Sequence, residues 1–395
     1  MIEFDSIKYI AQSEKTRKSS LYKEDSLLVN LFKHIVSRDF DTQNRIEFLE
    51  TYSKKIFPRT ITINNKENYL LWDTHFWSYF EKFVSILLGL QKNINKEPLK
   101  NCFYHNIYKF LSYVMEVDDP IKSFALAKFS QKFSITNFEE EAYTKRELKD
   151  FRNINFYSKL FVFCHERTHL YYKFKPPLKR KQDIQTLRKL IIQYIFLLEN
   201  VEEFSFSFRN NTEKQKYFSY LGYLYDLKDM DLIEEVLCDF FAYRESILYW
   251  KQILPNQDVE DTLMALQTSG RMCSTIQGFL KYIMFDWKYP YDNSNYSIEK
   301  YKENLNLLHS DGTIRNEIVS NLFAVDCFNR LGVSGICKDY LSGPYIDDVN
   351  YLICDCIFAN SKTEIDSIMD DIAKMKFSKK QMLDEKDLIT GWNDT

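Results

Sequence analysis

Residues 161–177, FVFCHERTHLYYKFKPP, are almost entirely apolar, yet they carry His165, Glu166 and His169. The chain has only six histidines, and two of them stand four apart around a carboxylate. The residues just before them (Leu160, Phe161, Val162, Phe163, Cys164) are apolar on every side of a helical wheel, so the segment reads as a buried helix over about 150–175. Pro176 and Pro177 end it, because the residue before a proline is pushed out of the helical region. Imidazoles and a carboxylate inside such a helix need polar partners. A buried helix with satisfied polar side chains would supply them one by one. A metal ion would supply them together.

The order His165-Glu166-Arg167-Thr168-His169 is HExxH. Positions i and i+4 of a helix lie about 40° apart, so both imidazoles point the same way and can share one ion. Zinc takes neutral imidazole, needs a third protein ligand and keeps one position open for water. A glutamate next to the first histidine sits beside that water and can act as its base, the role expected for Glu166. Arg167 projects about 180° from the ligand stripe, towards solvent or a carboxylate. Glu166 and His169 also spell ExxH, one half of a di-iron carboxylate site. None of His34, His75, His105 or His309 has a glutamate three residues before it, so the second half is missing.

A periodic helix over about 230–252, containing DLIEEVLCDFFAYRESILYW, offers the third ligand. Glu235 and Asp239 lie together at the edge of its apolar face, continued by the small residues Ala242 and Ser246. Glu234 and Glu245, on the opposite edge, read as ordinary amphipathic boundary. HExxH followed by ExxxD on a later helix resembles the gluzincin-type zinc metallopeptidases. The resemblance implies Zn2+ held by His165, His169 and Glu235, with Asp239 fixing the outer nitrogen of His165 and Glu166 as the catalytic base. Cys238 and Ala242 resemble the small residues such helices carry. A His, Tyr or Arg stabilises the oxyanion in such enzymes, which points to His309 or Tyr243. The resemblance covers two short motifs. The long separation between them implies an insertion containing the basic run 178–189 and the alternating FSFSF at 204–208.

Gly (9) and Pro (8) are scarce in 395 residues, and 45% of the chain is apolar. This composition favours long helices around a sizeable core. The fold class expected is α+β, predominantly α-helical: a zincin-like metallopeptidase core over 149–290 between mainly helical regions at 1–148 and 291–395. One strand is expected at TITIN, 60–64, and another at 204–208. The breaks in the first region fall at Phe57-Pro58, Glu97-Pro98 and Asp119-Pro120. A net charge of −3 gives no global attraction to nucleic acid or anionic lipid. The N-terminus lacks a signal-peptide pattern, and VSILLGL at 84–90 is too short to cross a bilayer. Eight scattered cysteines without a CxxC pair read as reduced thiols of a cytoplasmic protein. The basic run 178–189 reads as a solvated face, with a patch for phosphate or an acidic partner as the other reading. The expected function is zinc-dependent hydrolysis of peptide bonds in an intracellular protein or peptide target, with a regulatory protein partner compatible with the aromatic-rich flanks. The alternative is a non-catalytic helical interaction protein with a structural or vestigial zinc site. A structural zinc is commonly closed by four ligands, often cysteines, and Glu166 in the base position favours chemistry.

Overall fold

A computed structural model of the chain describes residues 30–31, 45–51, 58–63, 67–91, 96–116, 119–133, 145–174, 177–200, 210–226, 229–253, 259–288, 314–331, 361–375 and 377–390. Three strands come first: β1 (Arg45–Thr51), β2 (Arg59–Ile63) and β3 (Glu67–Asp73). β3 is central, parallel to β1 and antiparallel to β2, with Leu49 beside Leu71 and Thr60 beside Leu70. β2 is the strand expected at 60–64. β1 and β3 correct the sequence reading, which took both stretches as helical. The period of two in β3 is plain once burial is known: Asn68, Leu70 and Trp72 are buried, while Tyr69 and Leu71 are half-buried.

The rest of the described chain is helical. α1 (Thr74–Gln91) follows β3 directly, and Trp77 packs edge-on against both Phe76 and Phe80. α2 (Lys96–Met115) leads to α3 (Pro120–Ser130), where Asp119 accepts a hydrogen bond from Lys122 N at 2.9 Å and Pro120 occupies the first turn. Then come α4 (Lys145–Phe174), α5 (Pro177–Asn200), α6 (Asn211–Asp226), α7 (Met230–Ile253) and α8 (Val259–Lys288). A π-helical segment, Ile314–Ile318, runs into α9 (Val319–Leu331), and α10 (Ser361–Lys374) and α11 (Lys379–Thr390) complete the order.

α4 is the axis of the fold. Every residue from 154 to 168 is buried, including the stretch 160–164 that is apolar on all sides. It packs on α1, α7 and α8. Fully burying a large apolar side chain such as Leu160 or Phe163 is worth roughly 1.5–3 kcal/mol relative to leaving it in water. Some of its buried polar groups are matched by neighbouring helices: Ser269 Oγ donates to Ile154 O at 3.1 Å, and Lys159 pairs with Glu81 at 3.1 Å. A buried knot of Tyr194, Tyr217 and Asn321 ties α5, α6 and α9 together.

α10, α11 and α2 pack on α3, whose residues 123–127 are all buried. Ile365, Ile372 and Met382 are buried there. Lys386, also buried, pairs with Glu116 beneath the ring of Tyr113. The buried apolar residues form one continuous cluster from Leu31 to Met382, so the three expected regions share a core. Cys102, Cys164, Cys238, Cys273 and Cys327 are free thiols. No helix among the described residues is long and apolar enough to cross a membrane. FSFSF at 204–208 and His309 lie outside the described residues.

Candidate metal centre

α7 crosses α4 so that the polar edge of one faces the histidine stripe of the other. His165 Nε2 and His169 Nε2 stand 3.1 Å apart. Glu235 Oε1 lies 3.4 Å from His169 Nε2, and its Oε2 lies 3.6 Å from His165 Nε2. Two donors bound at about 2.0–2.1 Å to one tetrahedral ion stand about 3.3–3.4 Å apart. The two histidine nitrogens are thus close to that spacing, with a different Glu235 oxygen facing each, and one donor atom from each of the three residues lies within 4.8 Å of the others. The donor types, two imidazole nitrogens and a carboxylate oxygen, suit zinc without being specific to it. Two facing Nε2 lone pairs also demand something positive between them, a proton or a cation.

The outer nitrogens are provided for separately. His165 Nδ1 is 2.7 Å from Asp239 Oδ1, but the contact is angled away from a good hydrogen bond and leaves this buried nitrogen unsatisfied. Asp239 is itself clamped by Arg315, whose Nε and Nη2 donate to its two oxygens at 2.7 and 3.1 Å. Arg315 Nη1 also reaches Glu235 Oε2 at 3.1 Å. His169 Nδ1 lies 3.2 Å from Glu234 Oε1, and Glu234 Oε2 pairs with Arg180 Nη2 at 2.7 Å. Each imidazole thus faces a carboxylate that an arginine holds. Reading Glu234 as ordinary boundary is corrected by this contact: the α4–α7 crossing brings both edges of the wheel, 234 and 235, against the same histidine. Glu245 faces Arg167 instead, at 3.7 Å, with the Arg167 guanidinium over the Tyr171 ring.

Charge in the site is strongly perturbed. Burial alone would raise Asp239, but the Arg315 guanidinium and His165 hold its carboxyl below the usual range. Glu235 is likewise depressed: burial opposes ionisation, and its hydrogen bond with His169 and the charges of His165 and Arg315 outweigh it. Burial works against charge on His169, yet its contacts with Cys238 and Glu235 push the imidazole up to about 12. Glu166 goes the other way, raised by burial against the pull of the two histidines. Its Oε2 accepts a hydrogen bond from Thr60 N at 2.7 Å, so the edge strand β2 fastens it. Glu166, His169 and Glu235 line a cleft of about 580 Å3 together with Thr60, Leu170, Tyr172, Lys173, Arg180 and Glu234.

Tyr243 is not at this cleft. Its ring is buried between Phe161 and Phe323, with centroids 4.7 Å from each, and its hydroxyl donates to Gln267 O at 3.4 Å. α8 passes so close that a Cβ on Gly270 would collide with it, and only glycine fits there. Four residues beyond Asp239, the α7 stripe has turned from cleft to core. Arg315, Arg180, Glu234 and Thr60 were not anticipated as site residues. No motif marks the first, whereas the basic run at 178–189 did flag the second.

Glu234→Gln is expected to weaken zinc binding by about 10–100-fold, as loss of a carboxylate behind a metal-binding histidine does. With Nε2 given to the ion, Nδ1–H donates to Glu234, and the amide cannot match the anion as acceptor. Competition against a fluorescent chelator measures this. Affinity unchanged within twofold would mean that Glu234 does not hold His169. No family model, no curated protein and no solved structure matches the chain.

Proposed function

We propose that the chain is a zinc-dependent peptidase with a gluzincin-like centre, in which His165, His169 and Glu235 hold the ion and Glu166 moves protons. The observation that carries this reading is the triad itself: His165, His169 and Glu235 each bring a donor atom within 4.8 Å of the others, and His169 and Glu235 line the cleft that Glu166 also lines. A zinc ion held there supplies a Lewis acid that polarises a carbonyl and makes water acidic near neutral pH.

This chain's own residues do the rest. Arg315 fixes Asp239, and Asp239 in turn limits the freedom of the His165 ring. Glu234 does the same for His169. The Glu166 carboxylate takes the proton of the attacking water and delivers it to the leaving amine nitrogen, general base and then general acid in one turnover. Thr60 N–H keeps one carboxylate oxygen occupied and leaves the other for that traffic. A zincin-like core belongs to the same proposal, supported by the three-stranded sheet lying beside the motif helix through the Thr60–Glu166 contact. Three protein donors and an adjoining cleft favour chemistry over a closed structural ion.

The test is metal content together with hydrolysis. Gently purified protein should cleave a proteome-derived peptide pool, with new termini read by mass spectrometry, and a chelator should stop cleavage until zinc is restored. Cleavage that persists through chelation, or stoichiometric iron in the protein, would discard this reading.

A further inference from the structure

Beyond the triad, the cleft has one wall that carries positive charge. The α4 stripe of His165 and His169 continues one turn on to Lys173, and α5 brings Arg180 to the same wall. Arg180 is a placed group: Nη2 is 2.7 Å from Glu234, and its guanidinium lies over the ring of Tyr172, 6.0 Å from the centroid. Tyr172 is fixed in its turn, donating from its hydroxyl to Asp183 at 3.1 Å, and Asp183 also pairs with Lys179 at 3.3 Å. The Arg180 Nε is buried and bonded to nothing among the described residues. Lys173 is exposed and has no carboxylate partner among them; its ammonium lies over the edge of Phe174, 6.0 Å from the ring.

The carboxylates of the cleft are already committed. Glu235 faces both histidines and Arg315, Glu166 takes the Thr60 amide, and Glu234 is divided between His169 and Arg180. Lys173 and the part of the Arg180 guanidinium that lines the cleft are left over. A fixed guanidinium and an ammonium lining one cleft make a carboxylate receptor in charge and donor type. We propose that this wall receives a carboxylate of the bound peptide, so that the cleft selects acidic ligands. Lys173 sits four residues beyond His169, about 6 Å along the helix. An extended peptide advances about 3.3 Å per residue, which puts the acidic group one or two residues from the bond over the triad. An Asp or Glu side chain and a free C-terminal carboxylate offer the same chemistry.

This selectivity rests on the peptidase reading for the word substrate, but binding can be measured without turnover. Zinc-loaded Glu166→Gln protein would be titrated, by fluorescence anisotropy, with three labelled decapeptide pools randomised elsewhere. One has an internal Asp and an amidated end, the second has Asn there and an amidated end, and the third has Asn and a free carboxylate end. At least one acidic pool should bind roughly tenfold tighter than the neutral pool, the scale of one charge-assisted contact. Whichever acidic pool wins identifies the source of the carboxylate. Lys173→Gln, added to Glu166→Gln, should cut the preference to about twofold with zinc content unchanged, and Lys173→Glu should abolish or reverse it. Equal binding of all three pools overturns the proposal. So does a preference that survives Lys173→Glu, since carboxylates that merely ligate zinc would behave that way. Wild-type protein then separates the two readings: acid-selective binding without cleavage removes the peptidase and keeps the receptor, and cleavage without acid selectivity does the reverse.

Discussion

Glu166→Gln protein is expected to keep its fold and its zinc while losing about 10²–10⁴-fold in turnover, the usual cost of removing general acid–base help. The substitution is nearly isosteric in a fully packed stretch of α4, so it opens no cavity. The amide oxygen of Gln can still accept the hydrogen bond from Thr60 N, so no buried donor is stranded. Glu166 is outside the donor triad, so an ion held by His165, His169 and Glu235 would not depend on it. What disappears is a carboxylate able to take and return a proton. The measurement is zinc content beside the rate of chelator-sensitive cleavage. A variant as active as wild type in the biological assay, while His169→Ala is inactive there, would mean that the zinc is structural and the protein acts by binding.

His169→Ala is expected to take the protein from about one zinc per chain to none retained after dialysis against a chelator. Two donors of the triad then remain of three. The choice of His169 over His165 follows from what each leaves behind. His169 is half-buried, and its removal leaves Glu234 still paired with Arg180 at 2.7 Å. Removing His165, which is buried, would add the cost of a cavity to that of the lost donor. Loss of metal with an unchanged circular dichroism spectrum assigns the effect to ligation. Full zinc retention in His169→Ala would exclude the triad as the metal site.

The two helices of the centre were legible because each carries a signal that tertiary structure reinforces. The stretch of α4 just before the motif, 160–164, was apolar on all sides, and α7 kept a helical period for its whole length. The breaks at Asp119-Pro120 and Pro176-Pro177 follow from proline stereochemistry alone and survive in any context. β1 and β3 were not legible. RIEFLET mixes strand formers with Glu and Leu, and ENYLLWD buries an asparagine on the same face as Leu70 and Trp72. Their strand character comes from pairing with each other, which no local window contains. The wheel placed Glu235 beside Asp239 but could not give the angle at which α7 crosses α4, and that angle decides whether Glu234 is idle or faces His169. Arg315 was hidden for a different reason. Its partner Asp239 is 76 residues away, and its own neighbourhood, IRNEI, has no pattern that marks it.

The Thr60–Glu166 bond spans 106 residues, and the Arg315–Asp239 pair spans 76. Both partners that steady the centre from outside therefore lie beyond the stretch 149–290 that holds all three candidate donors. A fragment cut to those bounds would inherit the metal donors and lose their supports: Asp239 would be left as a buried anion without its guanidinium, and Glu166 would lose its tie to the sheet. The centre is not a portable cassette. Grafting or trimming it requires carrying along a strand from one side of the chain and a π-helical segment from the other.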